Sequence, residues 1–284
     1  MIGRRAACRG GMSLALAGMA GCSIPERGPA VPTVDTERAL PFGIPNARHF
    51  ADSDVGVMEA EGRHAIEREV AARRAAGLPA GPLPPANFLA VSGGGDDGAF
   101  GAGLLAGWSE SGSRPEFKLV TGVSTGALIA PFAYLGSSYD ATLRECYTSM
   151  TADNVFRKRG LSAAVFDDAM TDTSPLAGVI ARYANQIMME AIAREYEKGR
   201  LLVIGTTDLD AQRPVLWNIG AIAASGHPRA LELIRKILRA SAAVPGAFQP
   251  VLFDVEVNGR QYQELHVDGG AIAQLFLYME CALL

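Results

Sequence analysis

The stretch Gly122-Val123-Ser124-Thr125-Gly126 decides how this chain is interpreted. It follows the apolar run Phe117-Lys118-Leu119-Val120 and precedes the apolar run Ala127-Leu128-Ile129-Ala130. This pattern is typical of a strand, a sharp turn and a helix that present a serine hydroxyl, the arrangement called a nucleophile elbow. Free backbone N–H groups at the start of the helix favour developing negative charge there. The alternative is a glycine-containing turn without chemistry.

A second glycine-rich stretch, Gly93-Gly94-Gly95-Asp96-Asp97-Gly98, lies between a predicted strand at 87–92 and a predicted helix at 98–109. Consecutive glycines let backbone N–H groups converge on a phosphate or on the oxyanion of an acyl-transfer reaction. The stretch lacks the lysine of a P-loop, and its two aspartates would repel a phosphate. The sequence therefore favours an oxyanion hole formed by Gly93, Gly94 and Gly95. A turn that packs a helix closely on a strand is the alternative.

A serine nucleophile needs a base, and three residues after Ser124 are candidates. Asp268 follows a predicted strand and precedes Gly269 and Gly270, so its carboxylate could pair directly with the serine as a dyad. His227 and His266 are the candidates for a Ser-His-Asp hydrolase of the α/β-hydrolase type. Their contexts, a helix start and a strand, are more typical of structural histidines.

Composition limits the classes of function. The 284 residues are 49% hydrophobic, which suits one domain with a sizeable core and flanking segments. The 26 basic and 30 acidic residues give a net charge of −4 without a clustered basic face, so we expect no nucleic-acid partner. The four cysteines show no metal-ligand spacing, so we expect no metal site. The sequence carries no signal for an oligomeric state.

The order of predicted elements indicates the fold class. Apolar strands alternate with amphipathic helices, including helices predicted over 54–76, 139–150 and 175–198. This alternation favours an α/β fold, specifically a three-layer sandwich with a largely parallel central sheet. Near the C-terminus, Asn258-Gly259 separates two strand patterns and predicts a two-residue hairpin turn.

The first 21 residues form a predicted lipoprotein signal peptide. Two arginines precede an apolar stretch, Met12 to Ala20, that is too short to span a bilayer. The stretch ends in Met19-Ala20-Gly21-Cys22, which resembles a bacterial lipobox. We therefore expect acylation of Cys22 and a lipid anchor in the bacterial cell envelope, with Ser23 favouring the outer membrane. An ordinary signal peptide cleaved nearby is the alternative.

The remaining chain is predicted to have two parts. Residues 22–85 combine proline-rich segments with a charge-laced helix, and we expect a tether and a surface helix. Residues 86–284 form the predicted catalytic domain.

Taken in order, the three motifs resemble the patatin-like phospholipases. The resemblance rests on Gly93-Gly94-Gly95 with Gly98, on Gly122-Val123-Ser124-Thr125-Gly126 and on Asp268-Gly269-Gly270. The stretch 239–248, Arg-Ala-Ser-Ala-Ala-Val-Pro-Gly-Ala-Phe, looks like the family's segment before its acidic motif. The resemblance covers about residues 87–270.

This resemblance implies a lipid acyl hydrolase of the phospholipase A, lysophospholipase or esterase type. Ser124 would be the nucleophile, Asp268 the general base, and backbone N–H groups of the Gly94–Gly95 region the oxyanion hole. The substrate would be a lipid or a small ester, and no cofactor is implied. The motif glycines that complete the site are Gly98, Gly122, Gly126, Gly269 and Gly270.

Two features differ from the family pattern. Asp96 and Asp97 stand where family members often carry a basic residue, which leaves lipids other than phospholipids and small esters open as substrates. The sequence ends at Leu284, shortly after Gly270, which indicates a C-terminal truncation. These differences keep a third interpretation open, a non-catalytic envelope lipoprotein that uses the fold as a binding module.

Overall fold

The protein is described here from a computed structural model that covers residues 27–53, 56–149, 157–158, 171–172 and 174–277. The predicted signal peptide and the predicted acylation site at Cys22 lie outside these residues. So does the C-terminal segment 278–284. The lipid anchor and the envelope location therefore stay predictions.

The described residues contain eight α-helices, which flank or cover a single large sheet. None of these helices combines the length and the apolar character that spanning a bilayer requires. The helices are α1 (Gly56–Ala75), α2 (Gly98–Glu110), α3 (Thr125–Leu135), α4 (Asp140–Ser149), α5 (Ser174–Tyr183), α6 (Gln186–Glu197), α7 (Ile219–Ala224) and α8 (Ala230–Ser241).

Ten strands lie in the same ranges. All but β5 and β6, which pair with each other, belong to the large sheet. The strands are β1 (Leu40–Pro41), β2 (Arg48–Phe50), β3 (Phe88–Val91), β4 (Leu119–Val123), β5 (Arg157–Lys158), β6 (Thr171–Asp172), β7 (Leu201–Asp208), β8 (Arg213–Asn218), β9 (Val251–Val257) and β10 (Arg260–Asp268).

The long strand β7 organises the sheet. One edge of β7 pairs with β8, which also pairs with β2. The other edge pairs with two strands in succession: β4 runs parallel to Leu201–Gly205, and β10 runs antiparallel to Thr206–Asp208. β3 extends the sheet beyond β4, while β9 and β1 extend it beyond β10. The carboxyl ends of β4 and β10 therefore meet at Gly205 and Thr206.

The expected three-layer sandwich with a largely parallel central sheet is wrong. Five of the seven strand pairings in the described large sheet are antiparallel, and only β3–β4 and β4–β7 are parallel. Short turns join β7 to β8 and β9 to β10, and strands joined in this way pair antiparallel, whereas parallel neighbours need a long crossover. The hairpin predicted at Asn258-Gly259 is present, with Arg260 opposite Val257.

Residues 27–50, predicted as part of a tether, pack onto the domain. They supply β1 and β2 to the large sheet. Ile44, Ala47 and Phe50 are buried in the main core. Arg27 forms an ion pair with Asp210 at 2.6 Å. This segment therefore packs as part of the folded domain.

The helix predicted over 175–198 is divided into α5 and α6. Asn185 lies between them, and its side chain accepts a hydrogen bond from the Met188 N–H at 3.1 Å, which caps the start of α6. Apolar residues recur at helical spacing on both sides of this break. The periodicity alone therefore did not indicate it.

The main core lies between one face of the sheet and most of the helices. Alternate residues of the central strands face it, including Val120, Ile204 and Trp217, and the helices contribute residues such as Ile129 and Leu233. Burying a large apolar side chain contributes roughly 1.5–3 kcal/mol. This packing holds β4 and β7 rigidly under the turn that follows β4.

The opposite face of the sheet is less fully packed. Leu119, Val203 and Leu216 form a small buried cluster there, with Phe276 and Leu277 against it. Helix α1 lies across the same face, and a cavity of about 440 Å³ separates α1 from the strands. The described C-terminal residues thus cover the sheet on the face away from the main core.

Candidate active site

Ser124 occupies the sharp turn between β4 and α3. Its backbone has φ 56° and ψ −126°, a conformation that L-residues rarely adopt. A Cβ on Gly122 would lie 2.5 Å from the Gly126 carbonyl oxygen, and a Cβ on Gly126 would lie 2.2 Å from the Val91 carbonyl oxygen. Both positions therefore require glycine because the backbone approaches too closely for a side chain. The geometry is that of a strained strand-to-helix elbow.

Ser241, at the end of α8, anchors this turn. Its Oγ accepts a hydrogen bond from the Ser124 N–H at 3.0 Å and donates one to the Gly205 carbonyl oxygen at 2.7 Å. The side chain is fully buried, so both bonds are shielded from water. The sequence placed Ser241 in the family-like stretch 239–248 but indicated no role for it.

Asp268 lies at the end of β10, opposite Thr206 and next to the pair formed by Val123 and Gly205. Its N–H donates to the Ala243 carbonyl oxygen at 2.9 Å, and its Oδ1 accepts from the Gly270 N–H at 2.6 Å. The residue is 3% exposed, and its Oδ2 has no hydrogen-bond partner among the described residues. The structure therefore brings the carboxylate to the turn that carries Ser124.

The environment of Asp268 changes its acidity. Burial raises the pKa of the carboxyl group above its usual range, because the ionised form loses solvation. The Ser124 hydroxyl, which lies near the carboxylate without forming a hydrogen bond of standard geometry to it, and the Gly270 N–H lower this pKa in part. A carboxylate with a raised pKa beside a serine hydroxyl is suited to accept a proton.

The glycine loop lies between β3 and a short 3-10 helix at Gly95–Asp97. A Cβ on Gly93 would lie 3.1 Å from the Ser124 Cβ, so the loop adjoins the serine. The Gly93 N–H donates to the Gln274 carbonyl oxygen at 3.0 Å and is not free for a substrate. The N–H groups of Gly94 and Gly95 have no acceptor among the described residues. Only these two of the three predicted donors therefore fit an oxyanion hole.

The other motif glycines allow further close contacts around the serine. A Cβ on Gly98 would lie 2.1 Å from the Thr125 Oγ1, and a Cβ on Gly269 would lie 2.7 Å from the Gly205 carbonyl oxygen. A Cβ on Gly270 would lie 2.9 Å from the Asp268 Oδ1. Each glycine thus permits a close approach that a side chain would block.

Neither candidate histidine takes the position of a triad base. His266 is fully buried, with its Nδ1 3.0 Å from the Thr206 Oγ1 and its ring against Trp217. The His227 ring stacks on Phe42, and its Nδ1 accepts from the Arg229 N–H. Neither ring forms a hydrogen bond with Ser124.

A buried charge cluster lies on β7 and β10, further along the same strands. The side-chain ligand atoms of Asp208, Glu264 and His266 lie within 4.8 Å of one another, a spacing compatible with a metal ion. The Arg48 guanidinium, however, donates to both oxygens of Glu264, one of them at 2.7 Å. We therefore interpret the cluster as a buried ion pair with neighbouring polar groups.

The two carboxyl groups in this cluster have different pKa values. Burial raises the pKa of Glu264, but Arg48 and His266 outweigh burial and bring it to about 2. Burial and the nearby Glu264 charge raise the pKa of Asp208, although His266 opposes them. Glu264 is therefore the ionised partner of Arg48.

The similarity of this chain to known proteins identifies its family. The family model described as Patatin-like phospholipase matches residues 89–278. Among solved structures, the chain is similar to VipD from Legionella pneumophila, with 12% identity and a TM-score of 0.41. That match covers 70% of this chain and 48% of VipD, so the chain spans about half the length of that protein. Comparison with curated proteins gives no match.

The family match spans well over half of the chain. It includes the glycine loop, the elbow at Ser124 and the loop at Asp268, which are the three segments that the sheet brings together. The resemblance noted from the motifs is thereby confirmed, and the chain belongs to the patatin-like phospholipase family.

Proposed function

We propose that this protein is a lipid acyl hydrolase in which Ser124 is the nucleophile and Asp268 the general base. The observation that carries the proposal is the junction on β7, where the ends of β4 and β10 meet at Gly205 and Thr206. This junction gives the strained serine turn a buried carboxylate neighbour. Membership of the patatin-like phospholipase family supports a lipid ester as the substrate.

The first half-reaction acylates the serine. Asp268 takes the proton of the Ser124 hydroxyl as Oγ attacks the carbonyl carbon of the ester. The N–H groups of Gly94 and Gly95 donate to the oxyanion of the tetrahedral intermediate. Preorganised donors of this kind are each worth about 2.7–4 kcal/mol in the transition state. The intermediate then collapses, and the departing alkoxide takes the proton from Asp268.

The second half-reaction releases the acid. Asp268, ionised again, takes a proton from a water molecule that attacks the acyl-serine carbonyl. The same N–H groups hold the second oxyanion. Collapse of this intermediate breaks the bond to Oγ, which recovers its proton from Asp268. Enzyme, alcohol and carboxylic acid are the products.

Exposed apolar side chains next to the site support a lipid substrate. Phe100 and Leu104, on α2 directly after the glycine loop, are 75% and 56% exposed. Ile272 and Leu275, directly after the Asp268 loop, are about half exposed. Exposed apolar side chains beside the predicted site are suited to contact acyl chains.

Labelling with a fluorophosphonate probe tests the nucleophile. We expect the wild-type protein to be labelled at Ser124 and to hydrolyse at least one member of a panel of phospholipids, lysophospholipids and short-chain esters. Ser124→Ala should lose both properties, because alanine has no hydroxyl to form the acyl or phosphonyl bond. The measurements are mass spectrometry of the labelled peptide and titration of released acid.

Ser113→Ala is the matched control, since Ser113 is an exposed serine in the loop after α2. It should be labelled and should hydrolyse substrate as the wild type does. Hydrolysis that survives in Ser124→Ala would refute the proposal. A folded wild-type protein with neither labelling nor hydrolysis would favour the non-catalytic binding module instead.

The pH profile tests the base. Only the ionised form of Asp268 accepts a proton, and its pKa is raised by burial. We therefore expect kcat/KM to rise with pH along an acid limb whose midpoint lies above the usual aspartate range. The measurement is kcat/KM for a soluble ester across the acid range, with the fold monitored at each pH. A midpoint at or below the usual aspartate value would contradict the assignment.

A further inference from the structure

Gln274 lies against the glycine loop, a contact that no motif in the sequence indicated. It follows the short 3-10 helix Gly269–Ala271 that begins directly after Asp268. Its carbonyl oxygen accepts the Gly93 N–H at 3.0 Å. The backbone of Gln274 thus removes one donor from the predicted oxyanion hole and brings its own side chain to the same place.

The side chain of Gln274 lies across the gap between two loops of the site. Its Oε1 would be 2.6 Å from a Cβ on Gly93, and its Nε2 would be 3.0 Å from a Cβ on Gly270. The same Cβ position on Gly270 is 2.9 Å from the Asp268 Oδ1. The carboxamide therefore lies beside both the loop that touches Ser124 and the loop that holds Asp268.

Within the described part of the chain, the polar atoms of this carboxamide are not used. The Gln274 side chain makes no hydrogen bond with any described residue, and the residue is exposed. A glutamine amide carries two N–H donors. An exposed carboxamide beside the site that has no partner among the described residues is available to a bound ligand.

We propose that Gln274 contacts the substrate and donates its Nε2–H to an oxygen of the ester bound at Ser124. The donor reaches the ester from the side of the Asp268 loop, because Nε2 lies towards Gly270 while Oε1 lies towards Gly93. This inference rests on the proposed function. Because the contact strengthens as negative charge develops on the ester, removing it should lower kcat more than it raises KM.

Two substitutions distinguish a donor from a packing role. Gln274→Met keeps a side chain of similar length without N–H groups, and Gln274→Ala removes both the length and the donors. Both leave the backbone bond to Gly93 in place. We expect each to lower kcat by about 10²-fold, as loss of one oxyanion donor does, with little change in KM or in unfolding temperature. The rate of fluorophosphonate labelling should fall in parallel.

Gln261→Leu is the control, because Gln261 is an exposed glutamine at the hairpin end of β10. It should leave kcat unchanged. Wild-type kcat in both variants would overturn the proposal in favour of no role. Wild-type kcat in Gln274→Met with a loss in Gln274→Ala would overturn it in favour of packing alone. A lowered unfolding temperature in Gln274→Met would also count against it.

The Ser124→Ala variant tests the proposed function independently of the inference about Gln274. If Ser124→Ala is inactive while Gln274→Met is fully active, only the inference about Gln274 fails. If the folded wild-type protein shows neither hydrolysis nor labelling, both proposals fail.

Discussion

Asp268→Asn is expected to lower kcat for ester hydrolysis by about 10²–10⁴-fold, the contribution of a positioned general base. The asparagine amide can still accept the Gly270 N–H through its Oδ1, as Asp268 does at 2.6 Å. It cannot take a proton from the Ser124 hydroxyl. The chemical step should therefore fail while the loop after β10 keeps its conformation. The measurement is single-turnover hydrolysis of a substrate chosen from the lipid panel.

The same substitution should leave the fold as stable as before or more stable. The pKa of Asp268 is raised in the folded protein, so the folded state binds this proton more tightly than the unfolded state. The stabilising effect of that proton is complete below the unfolded pKa and is lost as the pH rises through the folded pKa. At neutral pH, asparagine removes the cost of a buried ionised group. Thermal unfolding at neutral and at acid pH measures the difference, which should shrink in acid.

Asp52→Asn provides the control for this prediction. Asp52 is an exposed aspartate that pairs with Arg213 on the surface. Its substitution should leave hydrolysis unchanged. Wild-type turnover in Asp268→Asn would contradict the dyad. Loss of activity in His266→Ala or His227→Ala would then favour a histidine base.

Arg48→Met is expected to lower the free energy of unfolding by about 3–5 kcal/mol, the usual cost of leaving one member of a buried ion pair uncompensated. The side chains of Arg48 and Glu264 are 4% and 1% exposed. Without the guanidinium, the Glu264 carboxylate must either stay ionised in a dry environment or take up a proton. Both alternatives cost stability. Urea unfolding at neutral pH measures the loss.

The double variant Arg48→Met/Glu264→Gln should recover much of this loss, because it removes the stranded charge. Arg144→Met is the matched surface control, since Arg144 and Glu110 are 58% and 67% exposed and such pairs contribute only about 0–1 kcal/mol. A change of less than about 1 kcal/mol in Arg48→Met would contradict the buried-pair assignment.

The pH dependence of stability offers a second readout of this pair. The pKa of Glu264 is lowered to about 2 in the folded protein. The stability that this shift contributes is present above the unfolded glutamate pKa and is lost as the pH falls towards about 2. Arg48→Met should reduce this loss of stability at acid pH, because the guanidinium no longer lowers the pKa of Glu264.

Three short motifs were sufficient to predict the family and the candidate site residues. The glycines at 122 and 126 are needed because neighbouring carbonyl oxygens leave no room for a side chain. Steric requirements of this kind appear in the sequence as a fixed spacing of small residues. The family assignment is confirmed, while the roles of Ser124 and Asp268 stay proposals.

Apart from the hairpin at Asn258-Gly259, the direction of the strands and several contacts of the site could not be predicted from the sequence. Alternating strands and helices suggested parallel pairing, but five of the seven pairings in the described large sheet are antiparallel, and two of these five are the hairpins at β7–β8 and β9–β10. Ser241 and Gln274 reach the site from segments far along the chain. The periodicity of apolar residues indicates which face of a helix or strand a residue occupies. It does not indicate which residues from distant parts of the chain that residue contacts.

The sequence by itself determined the local conformation of the serine turn and the glycine loop, because close backbone approach and positive φ angles demand glycine at set positions. Only the tertiary structure decided that Asp268 lies beside Ser124 and that the Gly93 N–H is already bonded. The physical reason is that β4 and β10 pair with successive segments of one edge of β7. Such pairing depends on the packing of the whole sheet and not on the residues adjacent in the sequence.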